Sequence, residues 1–225
     1  MGIVVNDSQN LFMLQTRSNS YAFGIDNQGL VRHLYWGSRI NAMEDFEMPE
    51  LAEVSTNDPV YEITKEEFPV YGGLRYKEHC LKVTFADGTR DVAYEYVNYE
   101  IQKNEQCEEL VIILKDKHYA LVMELHYKIY EAYDLMERFV VLKNESTEVM
   151  QIEKLHSGQF HVPYEGLNFR NVHGHWGAEQ QKFVQKVDYG KIIFENRRGI
   201  SSHNHNPYFI LDQDATETTG NVYFG

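Results

Sequence analysis

The clearest pattern in the chain is a strict alternation across residues 119–129. Tyr119, Leu121, Met123, Leu125, Tyr127 and Ile129 share one face; Ala120, Val122, Glu124, His126 and Lys128 share the other. A period of two predicts a β-strand with one buried face, the other face turning polar toward its end. Shorter apolar segments at 11–14, 21–25 and 30–36 predict three more strands, with Asp26-Asn27-Gln28-Gly29 as a turn. Residues 81–85 and 92–96 flank Asp87-Gly88, a pair that suits positive φ and so predicts a hairpin. Further strands are expected at 110–114, 138–142, 150–155, 183–187, 191–194 and 208–211. A short acidic helix is expected within 44–53. Residues 39–71 form the longest stretch without a strong strand pattern, the kind of long loop that is often functional. Many short strands separated by turn signals predict an all-β sandwich of mainly antiparallel strands, read here as one domain over residues 1–225.

Composition sharpens this picture. The chain has 225 residues, 43% of them hydrophobic, with 16 Tyr and 12 Phe. That is enough to bury a large core, and aromatic side chains suit pleated sheets. The net charge of −13 argues against nucleic acid as a partner, since phosphate binding needs a basic stripe. No apolar run approaches the roughly 20 residues that a helical membrane span requires. The first residues lack a basic n-region and a long apolar h-region, so a cytoplasmic setting is expected. Cys80 and Cys107 are then expected to be free thiols.

The sequence offers candidates for three kinds of chemistry. His173-Gly174-His175 and His203-Asn204-His205 are His-x-His pairs, with His156 and His161 nearby in sequence. Such pairs place both imidazoles on one face of a strand and could ligate a metal in a cupin-like enzyme. No carboxylate stands at a diagnostic spacing, so no metal and no other cofactor is expected. Of the 34 acidic residues none stands in a recognisable catalytic setting, and Gly-x-Ser-x-Gly is missing. Trp176, in Val172-His173-Gly174-His175-Trp176-Gly177, reads as an indole in a Gly- and His-rich loop: a surface residue, a packing plug or a sugar-stacking platform. Trp36 reads as a packing residue.

Several segments resemble one family. Tyr35-Trp36-Gly37, Glu67-Phe68-Pro69-Val70-Tyr71-Gly72 and the Arg138-containing stretch 134–144 are similar to segments of bacterial family 36 glycoside hydrolases, the α-galactosidases. So is Gly174-His175-Trp176-Gly177-Ala178-Glu179, with Ala178 where the family has arginine. The most specific likeness runs from Glu195-Asn196-Arg197-Arg198-Gly199-Ile200-Ser201-Ser202-His203 through Asn206-Pro207-Tyr208-Phe209.

The resemblance implies a galactose-mutarotase-like supersandwich that precedes a catalytic (β/α)8 barrel. The family's catalytic aspartates lie in barrel segments that do not occur among these residues, so no catalytic residue is assigned here. Trp176, His203 and Asn206 are the substrate-binding candidates, with Trp176 at the position of a tryptophan that lines the sugar pocket. The implied partners are α-galactoside sugars in the full enzyme, the barrel itself, and further copies of the enzyme reached through residues 39–66. Two other readings stay open at this point: a self-standing carbohydrate-binding or epimerase-like sandwich, and the cupin-like metal enzyme.

Overall fold

The computed structural model describes residues 2–44, 46–48, 64–73, 75–163, 165–195, 204–216, 218 and 222–224. It is nearly all antiparallel sheet; one 3-10 turn, Glu131–Tyr133, is the single helical element among the described residues. The chain divides into two compact units, Met1–His161 and Val162–Gly225.

In the first unit, β1 (Ile3–Asn6), β2 (Leu11–Gln15), β3 (Asn19–Ile25) and β4 (Val31–Ser38) form a four-stranded meander. A second meander joins β6 (Tyr94–Lys103), β7 (Glu108–Asp116), β8 (Leu121–Tyr130) and β9 (Leu135–Asn144). Their inner faces meet in one core. Phe12, Phe23 and Tyr21 come from the first sheet; Leu110, Ile112, Leu125 and Tyr127 come from the second. Phe23 stacks on Tyr127 at a centroid distance of 4.8 Å. Each such ring, taken wholly from water, is worth roughly 1.5–3 kcal/mol. β8 behaves as its alternation predicts: Leu121, Met123, Leu125, Tyr127 and Ile129 lie in the core. β2 is buried along its whole length. Leu11 and Met13 face away from the main core and pack with Met43, Phe46 and Met48, which is why this strand reads as a continuous apolar run.

One expectation fails in this unit. Asp87-Gly88 does turn the chain, with Gly88 N–H donating to Phe85 O at 2.9 Å. The strands beside it do not pair, however: β5 (Leu81–Thr84) pairs with β10 (Gln151–Leu155), and β6 pairs with β7. A two-residue turn sets the reversal but not the partner. No helix forms over 44 and 46–48, and the rest of the 44–53 segment lies outside the described residues.

The second unit is a four-stranded sheet in the order β12-β11-β13-β14, from β11 (Asn168–His175), β12 (Ala178–Lys186), β13 (Ile210–Asp212) and β14 (Val222–Phe224). Residues 191–194 are not a strand. Phe194 instead lies on the sheet, stacked 5.1 Å from Phe169 and edge-on to Phe183 at 5.6 Å, and Phe209 stacks 5.9 Å from Phe169. Its apolarity serves that packing, not a strand pattern.

Candidate functional site

In the first unit one cluster of perturbed titratable groups is sealed inside the sandwich. Glu67 is fully buried, and its carboxylate accepts hydrogen bonds from Tyr21 (2.7 Å), Tyr127 (3.1 Å), Arg138 Nη1 (2.7 Å) and His33 Nδ1 (2.8 Å). Because a carboxylate only accepts, His33 carries its proton on Nδ1. Arg138 Nη2 also donates to the Glu67 carbonyl, and the guanidinium lies over the rings of Tyr127 and Phe160. Burial alone would push the Glu67 carboxyl up; the Arg138 charge and the His33 bond outweigh it and hold it below the ordinary value. Burial, and then the Glu67 charge, drive the Tyr21 phenol well up. Perturbed groups often mark active sites, but this cluster has no access for a substrate. A nearby cavity of about 20 Å³, lined by Leu14, Tyr21, Trp36, Ile129 and Met136, has room for one water and not for a sugar. The cluster fastens residues 66–70 into the sandwich. Trp36 packs against the same core, as expected of it.

The exposed candidate lies in the second unit. His173-Gly174-His175 belongs to β11 rather than to a loop, and Trp176-Gly177 is the tip of the β11–β12 hairpin. Gly177 takes a φ of +81°, and its N–H donates to Glu179 Oε1 at 2.8 Å, which closes the turn. Trp176 is 88% exposed at this tip. Below it, Gly174 sits at the register shift between His173 and His175 with φ +157°. A Cβ there would lie 2.4 Å from the Ala178 carbonyl oxygen. Gly174→Ala is therefore expected to cost about 1–3 kcal/mol through backbone strain. Thermal unfolding checks this, and a loss under about 0.5 kcal/mol, the scale of an ordinary surface change, would refute it.

Asn206 lies beside the same strand. Its N–H donates to Val172 O at 3.0 Å, and its carbonyl accepts from Asn171 Nδ2 at 3.2 Å. Trp176 follows Val172 by four residues, about 13 Å of extended chain. Asn206 thus lies beside β11, four residues short of the hairpin tip that carries Trp176. His203 lies outside the described residues. His173 and His205 have ring centroids 6.2 Å apart, and no three His, Cys, Asp or Glu among the described residues are grouped to hold a metal ion.

Residues 29–225 match the model of the glycosyl hydrolase family 36 N-terminal domain. The chain belongs to this family. It is 26% identical over 228 residues to the probable α-galactosidase G of Aspergillus terreus, covering 94% of this chain and 31% of that protein. It is 25% identical over 247 residues to the bifunctional α-galactosidase/sucrose kinase AgaSK of Mediterraneibacter gnavus, covering 99% of this chain and 26% of that protein. Among solved structures, the family 36 α-galactosidase AgaB of Geobacillus stearothermophilus superposes with a TM-score of 0.88 at 24% identity, over 100% of this chain and 34% of that one. The chain thus spans about a quarter to a third of the length of the curated relatives it matches.

Glu67 and Arg138, 71 positions apart, meet in the core, and the Trp176 indole stands exposed at a hairpin tip. Sequence reasoning passed over Asn171, a buried amide in the middle of β11. Its signal was weak: one polar residue at a position that shares a sheet face with Phe169 and Phe183.

Proposed function

We propose that this domain serves an α-galactosidase that releases terminal α-galactose from oligosaccharides. In this reading the domain is not catalytic: it supports the (β/α)8 barrel, and Trp176 forms part of the wall of the sugar pocket. The observation that carries the reading is the match of residues 29–225 to the family 36 N-terminal domain, in a chain whose solved neighbours are α-galactosidases. Two of those neighbours are structures of AgaA variants with raffinose and with stachyose, which are α-galactosides. The exposure of Trp176 supports its part, since an indole stacks on the C–H face of a sugar only when its own face is open.

Cytoplasmic placement and self-association through residues 39–66 belong to the same proposal. The free thiols of Cys80 and Cys107 suit a reducing compartment. Retaining glycosidases need two carboxyl groups about 5–5.5 Å apart across the scissile bond, and the barrel supplies them in this reading. The test is turnover of a chromogenic α-galactoside by the 225-residue chain and by the protein with the barrel attached. Release of galactose is expected from the second alone. Turnover by the 225 residues themselves, or none by the intact protein, would overturn the proposal.

A further inference from the structure

β10 ends at Leu155, and residues 156–161, the last of the first unit, lie outside any strand. None of these residues is fully buried. The segment is instead tied down at a few points. His156 N–H donates to Cys80 O at 2.8 Å, and Gln159 N–H to Glu67 O at 3.3 Å. Arg138 Nη1 donates to Gln159 O at 3.2 Å, and a Cβ on Gly158 would lie 2.5 Å from Arg138 Cζ. Phe160 packs 5.5 Å from Trp36. The last tie is His161 Nε2, 3.0 Å from Glu66 O. A carbonyl only accepts, so this nitrogen carries the proton, and Nδ1 is the atom to which acid adds a second one. The His161 ring lies 5.2 Å from that of His33. His33 in turn faces Glu67 and Tyr21, and Glu67 faces Arg138.

We propose that residues 156–161 are a pH-sensitive strap: mild acid protonates His161, frees this segment from Glu66 and Glu67, and leaves the sandwich folded. The groups around His161 set the direction. Burial disfavours a charged ring there, and the charges of His33 and Lys77 oppose it further; the Glu66 carbonyl and the Glu67 carboxylate favour it but are outweighed. The imidazole is thereby held below its ordinary value of 6.5. The strapped state binds fewer protons than the released one, so the hold is complete above pH 6.5 and is lost as the pH falls through the depressed value. The core cluster does not titrate in that window, because the Glu67 carboxyl is held below 4.5. Segments with few buried contacts are also the first to open in a fold. His161 is the last residue before the second unit, so release lengthens the free chain between the two. The strap works in the same way whatever enzyme the domain serves.

The test uses Trp36 as reporter in the 225-residue chain carrying Trp176→Phe, which leaves Trp36 as its single indole. Between about pH 7.5 and pH 5, the range in which an imidazole titrates, its emission maximum is expected to shift to the red as Phe160 leaves. The shift should be reversible and the far-UV circular dichroism unchanged. His161→Gln keeps a donor for the Glu66 carbonyl but cannot titrate, and should hold the emission constant across the same range. In the unaltered chain the Gln159 amide, corrected for the intrinsic effect of pH on exchange, should lose its protection over that range. No red shift from Trp36, or an equal shift in His161→Gln, would overturn the proposal, as would Gln159 protection that persists in acid. So would a shift that comes with loss of the sheet signal, since the whole sandwich would then be opening.

Discussion

Replacing Arg138 by methionine is expected to destabilise the protein by about 3–5 kcal/mol, the range found when one partner of a buried ion pair is removed. The side chains of Arg138 and Glu67 are 1% and 0% exposed, and Nη1 lies 2.7 Å from Oε2. Methionine fills much of the space but leaves the carboxylate with only Tyr21, Tyr127 and His33. For a domain of this size the loss corresponds to a fall in Tm of roughly 6–20 °C. A Glu67→Gln, Arg138→Met double variant should lose less than the sum of the two single ones, since no uncompensated charge stays buried.

The pH dependence carries a second signature of the same pair. The Glu67 carboxyl is held below its ordinary value of 4.5 in the folded chain. The native state therefore binds fewer protons than the unfolded state in that window. Its stabilisation is fully present above pH 4.5 and is lost as the pH falls through the depressed folded value. In Arg138→Met the burial of Glu67 is no longer outweighed by the guanidinium, so its carboxyl rises. The stability gap between wild type and variant should then narrow as the pH falls. Urea denaturation at neutral and acid pH measures both effects. A loss under 1 kcal/mol at neutral pH, or a gap that widens in acid, would show that the pair does not hold the sandwich as argued.

That pair also shows where local patterns stop being informative. β8 was legible because a half-buried strand repeats every two residues, and 119–129 keeps that period. β11 was not, because its sequence NFRNVHGH puts Asn171 and His173 on the same side as Phe169. Those side chains meet residues 205–208, which no window around 171 contains: Asn171 Nδ2 donates to the carbonyls of Asn206 and Tyr208, and the His173 ring lies 6.2 Å from that of His205. The hairpin expected over 81–96 does not form for a related reason. Asp-Gly chemistry is local, whereas the partner of β5 lies about seventy residues on, at Gln151–Leu155. Glu67 and Arg138 could be quoted as family-like residues, but the pairing between them is a fact of tertiary structure. The site was legible in part. Trp176 stands out as an indole in a Gly- and His-rich stretch, and Asn206 by its family segment, while Asn171 has neither mark.

Trp176→Ala in the intact enzyme is expected to lower kcat/KM by about ten- to a hundredfold, with almost no change in Tm. Stacking and water exclusion by an indole are worth about 1–3 kcal/mol, and each 1.4 kcal/mol is a factor of ten in rate. The two halves of this expectation have separate grounds. The kinetic half rests on the proposed sugar contact. The stability half rests on an observation: the side chain is 88% exposed, so its removal takes little apolar surface out of the fold, and exposed substitutions of this kind stay within about 0.5 kcal/mol. The turn does not need the indole either, because Gly177 and the Glu179 carboxylate close it. Trp176→Phe keeps an aromatic face and should retain most of the activity. Steady-state kinetics with calorimetry on the same samples separates the outcomes. An unchanged kcat/KM in Trp176→Ala would remove Trp176 from the sugar pocket. A Tm that falls in step with activity would instead make it a packing residue, buried against another part of the intact enzyme.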